Sequence, residues 1–497
     1  MKRRQRKKRS FRQSREARKT KRTLTNAESV RTAYAWLLPD ASIFAKVRFH
    51  GNVSWAASSL VLLALCWAWS DARYVTDAFA DAAQWCQALL GCSPLTTYQG
   101  FMGALARWTP QLMPILVDVL QQRMAGIGGK FYRIGGWVPI GFDGSRASAA
   151  RTKSNEAEFC AKNYGHGKTA KYRKKKSKGM RRRNNAKNPA QPQEPQAWMT
   201  MLWHMGLRLP WDWRLGPSNA SERAHVMEMV ELGRFPLRTL LCGDAGFVGY
   251  PLWSCFQRAG VRFLVRVGGN VKLLTEHAIC QFQKVGKERM VLCWPKDAIR
   301  TDVPPLRLRL VRVTVGKTLM WLLTNVLDGH QLAQKTMVRF YKMRWGVEVE
   351  FRGLKQTLDR AKLRCRNAQR LLAELHWSIL AMAAAELLAL KEQLERRSAE
   401  RKTKRAPRYD PSKRSLANTM RALRGCLKHL HETPEPDKEL ASQLGEAVTD
   451  DYQRLRSKAA RYRPPNPDKK PLGDPQIRRL DPEEKLKLRR LGCKNAA

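Results

Sequence analysis

Acidic residues are scarce in this chain, which has 42 Asp and Glu against 93 Lys and Arg among its 497 residues. A protein with a formal net charge of +51 is expected to bind a polyanion. Nucleic acid is the first candidate, and an anionic membrane surface is the second. Because charge supplies affinity without chemistry or sequence specificity, any chemistry must come from the few acids that stand in defined patterns.

Paired cysteines are also missing, since none of the eleven forms a Cys-x-x-Cys motif. This argues against a zinc ribbon or finger. The odd count in a long chain argues against a disulfide framework, and we interpret these residues as reduced thiols in a cytosolic protein. Cys426, His429 and His431 leave a metal site as an alternative, although no fourth ligand has a suitable spacing.

The N-terminus is basic and lacks the apolar segment of a signal peptide. Residues 53–70 form an uncharged run close to the minimum length of a membrane span, but Ser and Ala dilute it and Asp71 and Arg73 follow at once. We predict a buried helix here, with a membrane span as the alternative. The sequence contains no internal repeat.

Four polar residues share one face of a predicted helix that begins near Gln331. Because a helix turns about 100° per residue, Tyr341, Arg344, Glu348 and Lys355 fall at about 0°, 300°, 340° and 320°. An apolar stripe that can pack on a core lies beside them. The helix thus combines a buried face with an aromatic hydroxyl, a carboxylate and two cations.

This Y-(2)-R-(3)-E-(6)-K spacing resembles the signature of bacterial insertion-sequence transposases, DDE enzymes related to insertion-sequence family 4. All four positions match. The alternative is an amphipathic helix in which the pattern arises by chance.

Two further acids follow apolar runs that we predict to be strands. Asp143 stands in GFDGSR and Asp244 in LLCGDAGFVG, and each is predicted to end its strand. A single Asp in this position is often only a turn residue. The two acids and the helix occur in the order and spacing that the transposase family shows, and the resemblance covers about residues 27–395.

The choice of the third acid depends on the helical angle. Glu350 lies at about 180°, away from the signature face, so Glu348 is preferred. Asp212 and Glu156 remain alternative ligands, but neither matches a family motif.

The resemblance implies a ribonuclease-H-like (retroviral-integrase-type) core, in which two strand-end acids meet one helix acid. It implies that Asp143, Asp244 and Glu348 are catalytic and bind Mg²⁺ or Mn²⁺, with two ions expected. It also implies that Tyr341, Arg344 and Lys355 contact DNA phosphates near the cut.

Other contacts with DNA are open at the sequence level. Arg146, Arg151 and Lys153 follow the first acid closely and could hold the DNA strand, or could belong to a solvated loop. Related enzymes stack a flipped base on a Trp, and the sequence does not say which of sixteen Trp would do so. We interpret Trp345 as a packing residue.

We predict a mixed α/β (α+β) protein in four parts. Residues 1–26 form a basic disordered arm, and residues 27–130 form a helical DNA-binding domain. Residues 131–395 form the catalytic domain, with a basic loop at 168–188 and a β-rich insertion at 268–330. Residues 396–497 form a charged tail with local helices and no large core.

The predicted function is that of an insertion-sequence transposase that binds terminal inverted repeats and target DNA. It would cleave DNA and join 3′-hydroxyl ends as a homodimer in a synaptic complex, in the bacterial cytoplasm at the nucleoid and without a membrane partner. The alternatives are a domesticated ribonuclease-H-like nuclease and a non-enzymatic basic protein that packages nucleic acid.

Overall fold

The computed structural model describes residues 23–47, 49, 53–160, 194–275, 288–295, 303–316, 318–400, 410–449 and 472–491, the side chains of 397–400 excepted. The basic loop at 168–188, most of the basic arm and much of the charged tail lie outside the described residues. Contacts divide the chain into two units. The first comprises residues 1–101, 384–409 and 413–449, and the second comprises residues 102–383, 410–412 and 450–497.

Helices make up the described part of the first unit and surround the sheet of the second. They are α1 (Asn26–Leu37), α2 (Ala57–Trp69), α3 (Val75–Leu90), α4 (Tyr98–Ile127), α5 (Gly129–Tyr132), α6 (Lys153–Phe159), α7 (Glu222–Leu232), α8 (Tyr250–Arg258), α9 (Gln334–Met343), α10 (Gly346–Gln356), α11 (Ala368–Glu400), α12 (Leu416–Lys428), α13 (Leu440–Gly445) and α14 (Pro482–Arg490).

The apolar run at 53–70 forms α2, a helix with almost every side chain buried in the first unit. Its residues pack against α3, and Trp67 meets Phe101 edge to face. Burial of the helix on nearly all sides explains the absence of charged residues from the run. This agrees with the predicted buried helix.

Part of the predicted charged tail contributes to this helical core. Helix α12 buries Met420, Leu423 and Leu427, and Asn26 donates a 2.8 Å hydrogen bond to the carbonyl of His429. The apolar face of α12 recurs at helical spacing, so it can pack although the surrounding sequence is charged. The structure therefore differs from the expectation of a tail without a large core.

Among the described residues, one helix is long and apolar enough to cross a membrane by length and composition. It is α11, and 89% of its most apolar window is buried inside the protein. The predicted absence of a membrane partner stays a prediction.

The described strands form one ten-stranded sheet in the second unit. They are β1 (Val138–Ser148), β2 (Gln196–His204), β3 (Leu209–Gly216), β4 (Thr239–Gly243), β5 (Arg262–Val267), β6 (Lys272–Thr275), β7 (Glu288–Cys293), β8 (Leu306–Val315), β9 (Thr318–Thr324) and β10 (Gln476–Arg479). Their order is β10-β6-β7-β8-β9-β5-β4-β1-β2-β3. The protein is a mixed α/β structure with a large sheet.

The middle of the sheet positions the predicted acids. Strands β1, β2 and β3 form an antiparallel meander, whereas β4 runs parallel to β1 and β5 runs parallel to β4. All five residues of β4 are buried, as expected for a central parallel strand covered on both faces. The strands β6 to β9 lie within 268–330 and continue the sheet through the antiparallel β5–β9 pair.

Two local predictions need correction. Asp143 lies inside β1, which continues to Ser148 in pairing with β2. The signature segment forms two helices, α9 and α10, rather than one.

The break between α9 and α10 follows from close packing at Gly346. A Cβ atom at this position would lie 2.0 Å from the ring of Trp203, so only glycine lets α10 approach β2 this closely.

We expect Gly346→Ala to destabilise the protein by about 1–3 kcal/mol, because the added methyl group overlaps the Trp203 ring. Urea unfolding of the purified variants measures this. Gly103→Ala, at an exposed position on helix α4, is the control, since a Cβ there meets nothing within 4 Å and the change should be neutral or slightly stabilising. Equal stabilities for the two variants would contradict the proposed contact.

Candidate active site

Two of the predicted acids lie side by side where β4 ends. Strands β1 and β4 are parallel, and Gly141 pairs with Cys242. Extending this pairing by two residues on each chain segment places Asp143 beside Asp244. The backbones of such neighbouring segments lie about 5 Å apart. Asp244 directly follows β4, whereas β1 continues past this point with β2 as its partner.

Two donors hold the Asp143 carboxylate. The backbone N–H of Gly144 donates to Oδ1 at 2.9 Å, and Arg344 Nη1 donates to Oδ2 at 3.2 Å. Burial raises the pKa of Asp143 and the charge of Asp244 adds to the rise, whereas the Gly144 hydrogen bond and the Arg344 charge oppose it. The site therefore places two carboxylates close together with a single guanidinium to offset their repulsion.

Arg344 lies at the junction of α9 and α10 and is only 3% exposed. Its guanidinium lies over the Tyr341 ring at 5.7 Å, and Tyr341 is 4% exposed. Both residues were expected to contact DNA, but this burial favours a role in positioning Asp143. A direct DNA contact by either one stays a prediction.

Glu348 lies in the first turn of α10, where the helix N-terminus favours a negative charge. Its side chain is exposed, and burial followed by the charge of Asp143 raises its pKa, with a further contribution from Asp244. Glu350 instead is buried and accepts a 3.3 Å hydrogen bond from Trp203 Nε1. The structure thus turns Glu348, and not Glu350, toward the two aspartates.

Glu222 is a fourth carboxylate at this site that sequence reasoning did not identify. It begins α7, and its Oε1 lies so near Gly144 that a Cβ there would be 2.3 Å away. Burial and the charges of Asp143 and Asp244 raise the pKa of Glu222 to about 7. It shows no hydrogen bond or ion pair among the described residues.

No local signal in the sequence distinguishes Glu222 from other acids in a first helical turn. Its place beside Asp143 results from the packing of α7 on β1, a contact across more than seventy residues. The one hint is Gly144, because a glycine inside a strand often marks a close approach.

Lys355 also reaches the first strand, and its Nζ donates a 2.7 Å hydrogen bond to Ser145 Oγ. Partial burial lowers the pKa of Lys355. This contact sets a cation two residues beyond Asp143, a suitable position to bind a phosphate group.

The cations that follow Asp143 are exposed. Arg146 stacks over the Trp198 ring at 4.2 Å, and Arg151 pairs with Glu156 at 3.0 Å. The ion pair with Glu156 offsets the positive charge of Arg151. It also engages the carboxylate of Glu156, which the sequence left as an alternative metal ligand. Lys153 begins α6 and is exposed.

The remaining alternatives do not join the acid cluster. Asp212 pairs with Arg214 at 2.9 Å on β3. Cys426 is buried with its Sγ near the Asn26 carbonyl, and His429 pairs with Glu432. Asp212, Cys426 and His429 thus each have a partner outside the acid cluster.

Trp345 corrects one interpretation, because it is 56% exposed rather than packed. Its ring lies 5.3 Å from the Arg344 guanidinium, between α9 and α10. The ring is therefore open to solvent beside Arg344.

The carboxylate oxygens at this site are suitable ligands for a hard divalent cation. Carboxylate oxygens are the ligands that Mg²⁺ and Mn²⁺ prefer, and the mutual repulsion that raises the pKa values here would be relieved by a cation. Among the described residues, no three Asp, Glu, His or Cys side chains are grouped tightly enough to hold a metal ion by themselves. Binding would therefore require some of these side chains to move closer together.

The family model described as the transposase DDE domain matches residues 151–384. This range begins after Asp143 and includes Asp244 and Glu348. The match supports a DDE transposase, an enzyme that cleaves DNA and transfers strands in transposition and recombination. Such enzymes typically use divalent metal ions.

The chain is also similar to a solved structure, the cryo-EM structure of the piggyBac transposase synaptic complex with hairpin DNA. The sequence identity is 12%, the TM-score is 0.38, and the alignment covers 85% of each chain. A TM-score this low carries no conclusion about fold or function. No curated protein matches the chain.

We expect Glu222→Gln to change how stability depends on pH. Glu222 binds its proton more tightly in the folded protein, with a pKa of about 7 against a usual 4.5, so this group lowers wild-type stability as pH rises through that range. In chelator at about pH 8 the variant should be more stable by on the order of 1 kcal/mol, given the partial exposure of the side chain. At about pH 4.5 the two proteins should be equal.

Urea unfolding at several pH values measures this difference. Glu231→Gln is the matched control, because Glu231 lies on the same helix but is exposed and pairs with Arg258 at 3.7 Å. The same pH dependence in both variants would contradict the placement of Glu222 beside the aspartates.

Proposed function

We propose that this protein is the transposase of a bacterial insertion sequence related to family 4. It would bind terminal inverted repeats, cleave DNA at the element ends and join the 3′-hydroxyl ends to target DNA. The observation that carries the proposal is the parallel register that sets Asp143 beside Asp244, with Glu348 turned toward both. The domain match includes two of these three acids.

Asp143, Asp244 and Glu348 would hold Mg²⁺ or Mn²⁺. When bound, two such ions supply an activated water or 3′-hydroxyl and stabilise the leaving 3′-oxygen. The chain itself positions the reacting groups. Arg344 orients Asp143, and Lys355 offers a positive charge to the phosphate from its place on Ser145.

The arrangement of the sheet supports a ribonuclease-H-like core. An antiparallel meander leads into two parallel strands, and the acids of the first and fourth strands meet an acid on a later helix. In this proposal the strands within 268–330 are an insertion, and the helices of 27–130 bind DNA. A homodimer would act in the bacterial cytoplasm at the nucleoid.

We expect Asp143→Asn, Asp244→Asn and Glu348→Gln each to reduce DNA cleavage by at least about 10³-fold, because each removes a ligand for the ions that carry the chemistry. The assay uses purified protein, Mg²⁺ and a plasmid that carries the gene with its native flanks. Cuts at the flanks should appear with the wild type and disappear in chelator.

Glu231→Gln is the control for removal of an acidic charge away from the site, and it should cleave as the wild type does. Filter binding should show that the acid variants retain affinity for DNA. Full cleavage by Asp244→Asn would refute the proposed site. Cleavage without joined 3′ ends would favour the domesticated nuclease, and binding without cleavage would favour the packaging protein.

A further inference from the structure

A second group of cations lies at the opposite ends of the strands that carry the acids. Arg238 precedes β4 and Arg262 begins β5, and both line a cavity of about 490 Å³. Trp137, Leu237, Gly260 and Gln331 complete the lining. The lining therefore contains two guanidinium groups and no carboxylate.

The guanidinium of Arg238 is held in place without an acidic partner in the part of the chain that the structure describes. It lies over the Trp137 ring at 5.0 Å and about 3.7 Å from the position that a Cβ on Gly136 would occupy. The ring is fixed in turn, because Trp137 is 2% exposed and its Nε1 donates a 3.0 Å hydrogen bond to the Gln331 carbonyl. Stacking on a fixed ring leaves the edge of the guanidinium free to donate hydrogen bonds.

The backbone at Arg238 is strained in a way that keeps this arrangement. Its φ is +62°, a left-handed conformation that is uncommon for residues with a side chain. Its carbonyl accepts the 3.0 Å hydrogen bond from Val138 that starts β1 beside β4. Strain of this kind persists where the surrounding structure fixes it, and it is often found where a ligand is bound.

Arg262 provides the second cation of the cavity. Leu240 pairs with Arg262 across β4 and β5, so the two arginines belong to neighbouring strands. Arg262 is exposed and has no ion pair among the described residues. Arg133 lies close by, because its Nη1 donates a 2.9 Å hydrogen bond to the Leu237 carbonyl. Three positive charges thus gather around one concave surface.

The cavity is too far from the acids to bind the same phosphate. Arg238 directly precedes the five-residue strand β4 and Asp244 directly follows it, so six steps of about 3.3 Å set them about 20 Å apart. Duplex DNA rises about 3.4 Å per base pair, so this distance corresponds to roughly six base pairs. Any nucleic acid in the cavity must be a stretch of backbone remote from the reacting phosphate.

We propose that the cavity around Arg238 and Arg262 is a phosphate-binding site for the backbone of duplex DNA, separate from the acid site. A guanidinium offers a planar set of donors that matches phosphate oxygens, and here it is oriented before binding. Since phosphate contacts position a duplex without reading its sequence, this site would orient DNA on the protein.

The test measures binding of a labelled mixed-sequence duplex by fluorescence anisotropy over a series of salt concentrations. Chelator is present, so the outcome does not depend on the proposed cleavage. We expect Arg238→Ala with Arg262→Ala to weaken binding by roughly tenfold and to lower the slope of log affinity against log salt by about 2. Circular dichroism establishes that the variant is folded.

Two matched variants separate a specific site from general charge. Arg489→Ala with Arg490→Ala removes the same charge from exposed positions on α14 and should weaken binding less than threefold. Arg238→Lys with Arg262→Lys keeps the charge but loses the planar stacked group, and should give an intermediate loss.

Equal losses in the two alanine pairs would overturn the proposal, since charge alone would then explain them. Inorganic phosphate is the second probe. If it stabilises the wild type against heat but not the Arg238 and Arg262 variant, while both bind duplex equally well, the cavity is a site for free phosphate and the DNA assignment is wrong.

Discussion

The parallel pairing of β1 with β4 is the constraint on which the candidate site depends. It sets two carboxylates on adjacent backbones, where they repel each other and are partly withdrawn from water. Such an arrangement is costly unless cations offset it, and Arg344 is the cation that the fold supplies to Asp143. The helix junction, the buried Tyr341 ring and the contact of α10 with β1 all serve to bring that guanidinium to the strand.

The junction between α9 and α10 gives the signature residues distinct roles. Tyr341 and Arg344 end the first helix in the protein interior, whereas Glu348 begins the second at the surface. Because Gly346 touches the Trp203 ring, α10 is held against β2 and its first turn faces the aspartates. At the same junction Trp345 is exposed beside Arg344.

The positive charge of the chain and the position of its acids both bear on how the protein could bind DNA. An excess of 51 positive charges attracts a polyanion to the whole surface, and the four clustered carboxylates are the exception to it. A divalent cation at the cluster would let a phosphate approach carboxylates that would otherwise repel it. The arginines at the other end of β4 and β5 are placed to hold DNA far from that chemistry.

The sequence by itself determined the local features of this protein. The apolar run of α2, the strands that lead to Asp143 and Asp244, and the motifs around Asp143, Asp244 and Glu348 could be read directly from the chain, because periodicity and short motifs are local properties. The resemblance to DDE transposases rested on these motifs, and the domain match supports the coarser assignment as a DDE transposase.

Only the tertiary structure decided which groups meet. Glu222 approaches Asp143 because α7 packs on β1, and no pattern near Glu222 encodes a partner so distant in the chain. The helical wheel placed Tyr341 and Lys355 on one continuous face, but the close contact of Gly346 with Trp203 divides that face between two helices. Burial of Arg344 was hidden for the same reason, since its contact with Asp143 joins residues 201 positions apart and a linear sequence does not contain that geometry.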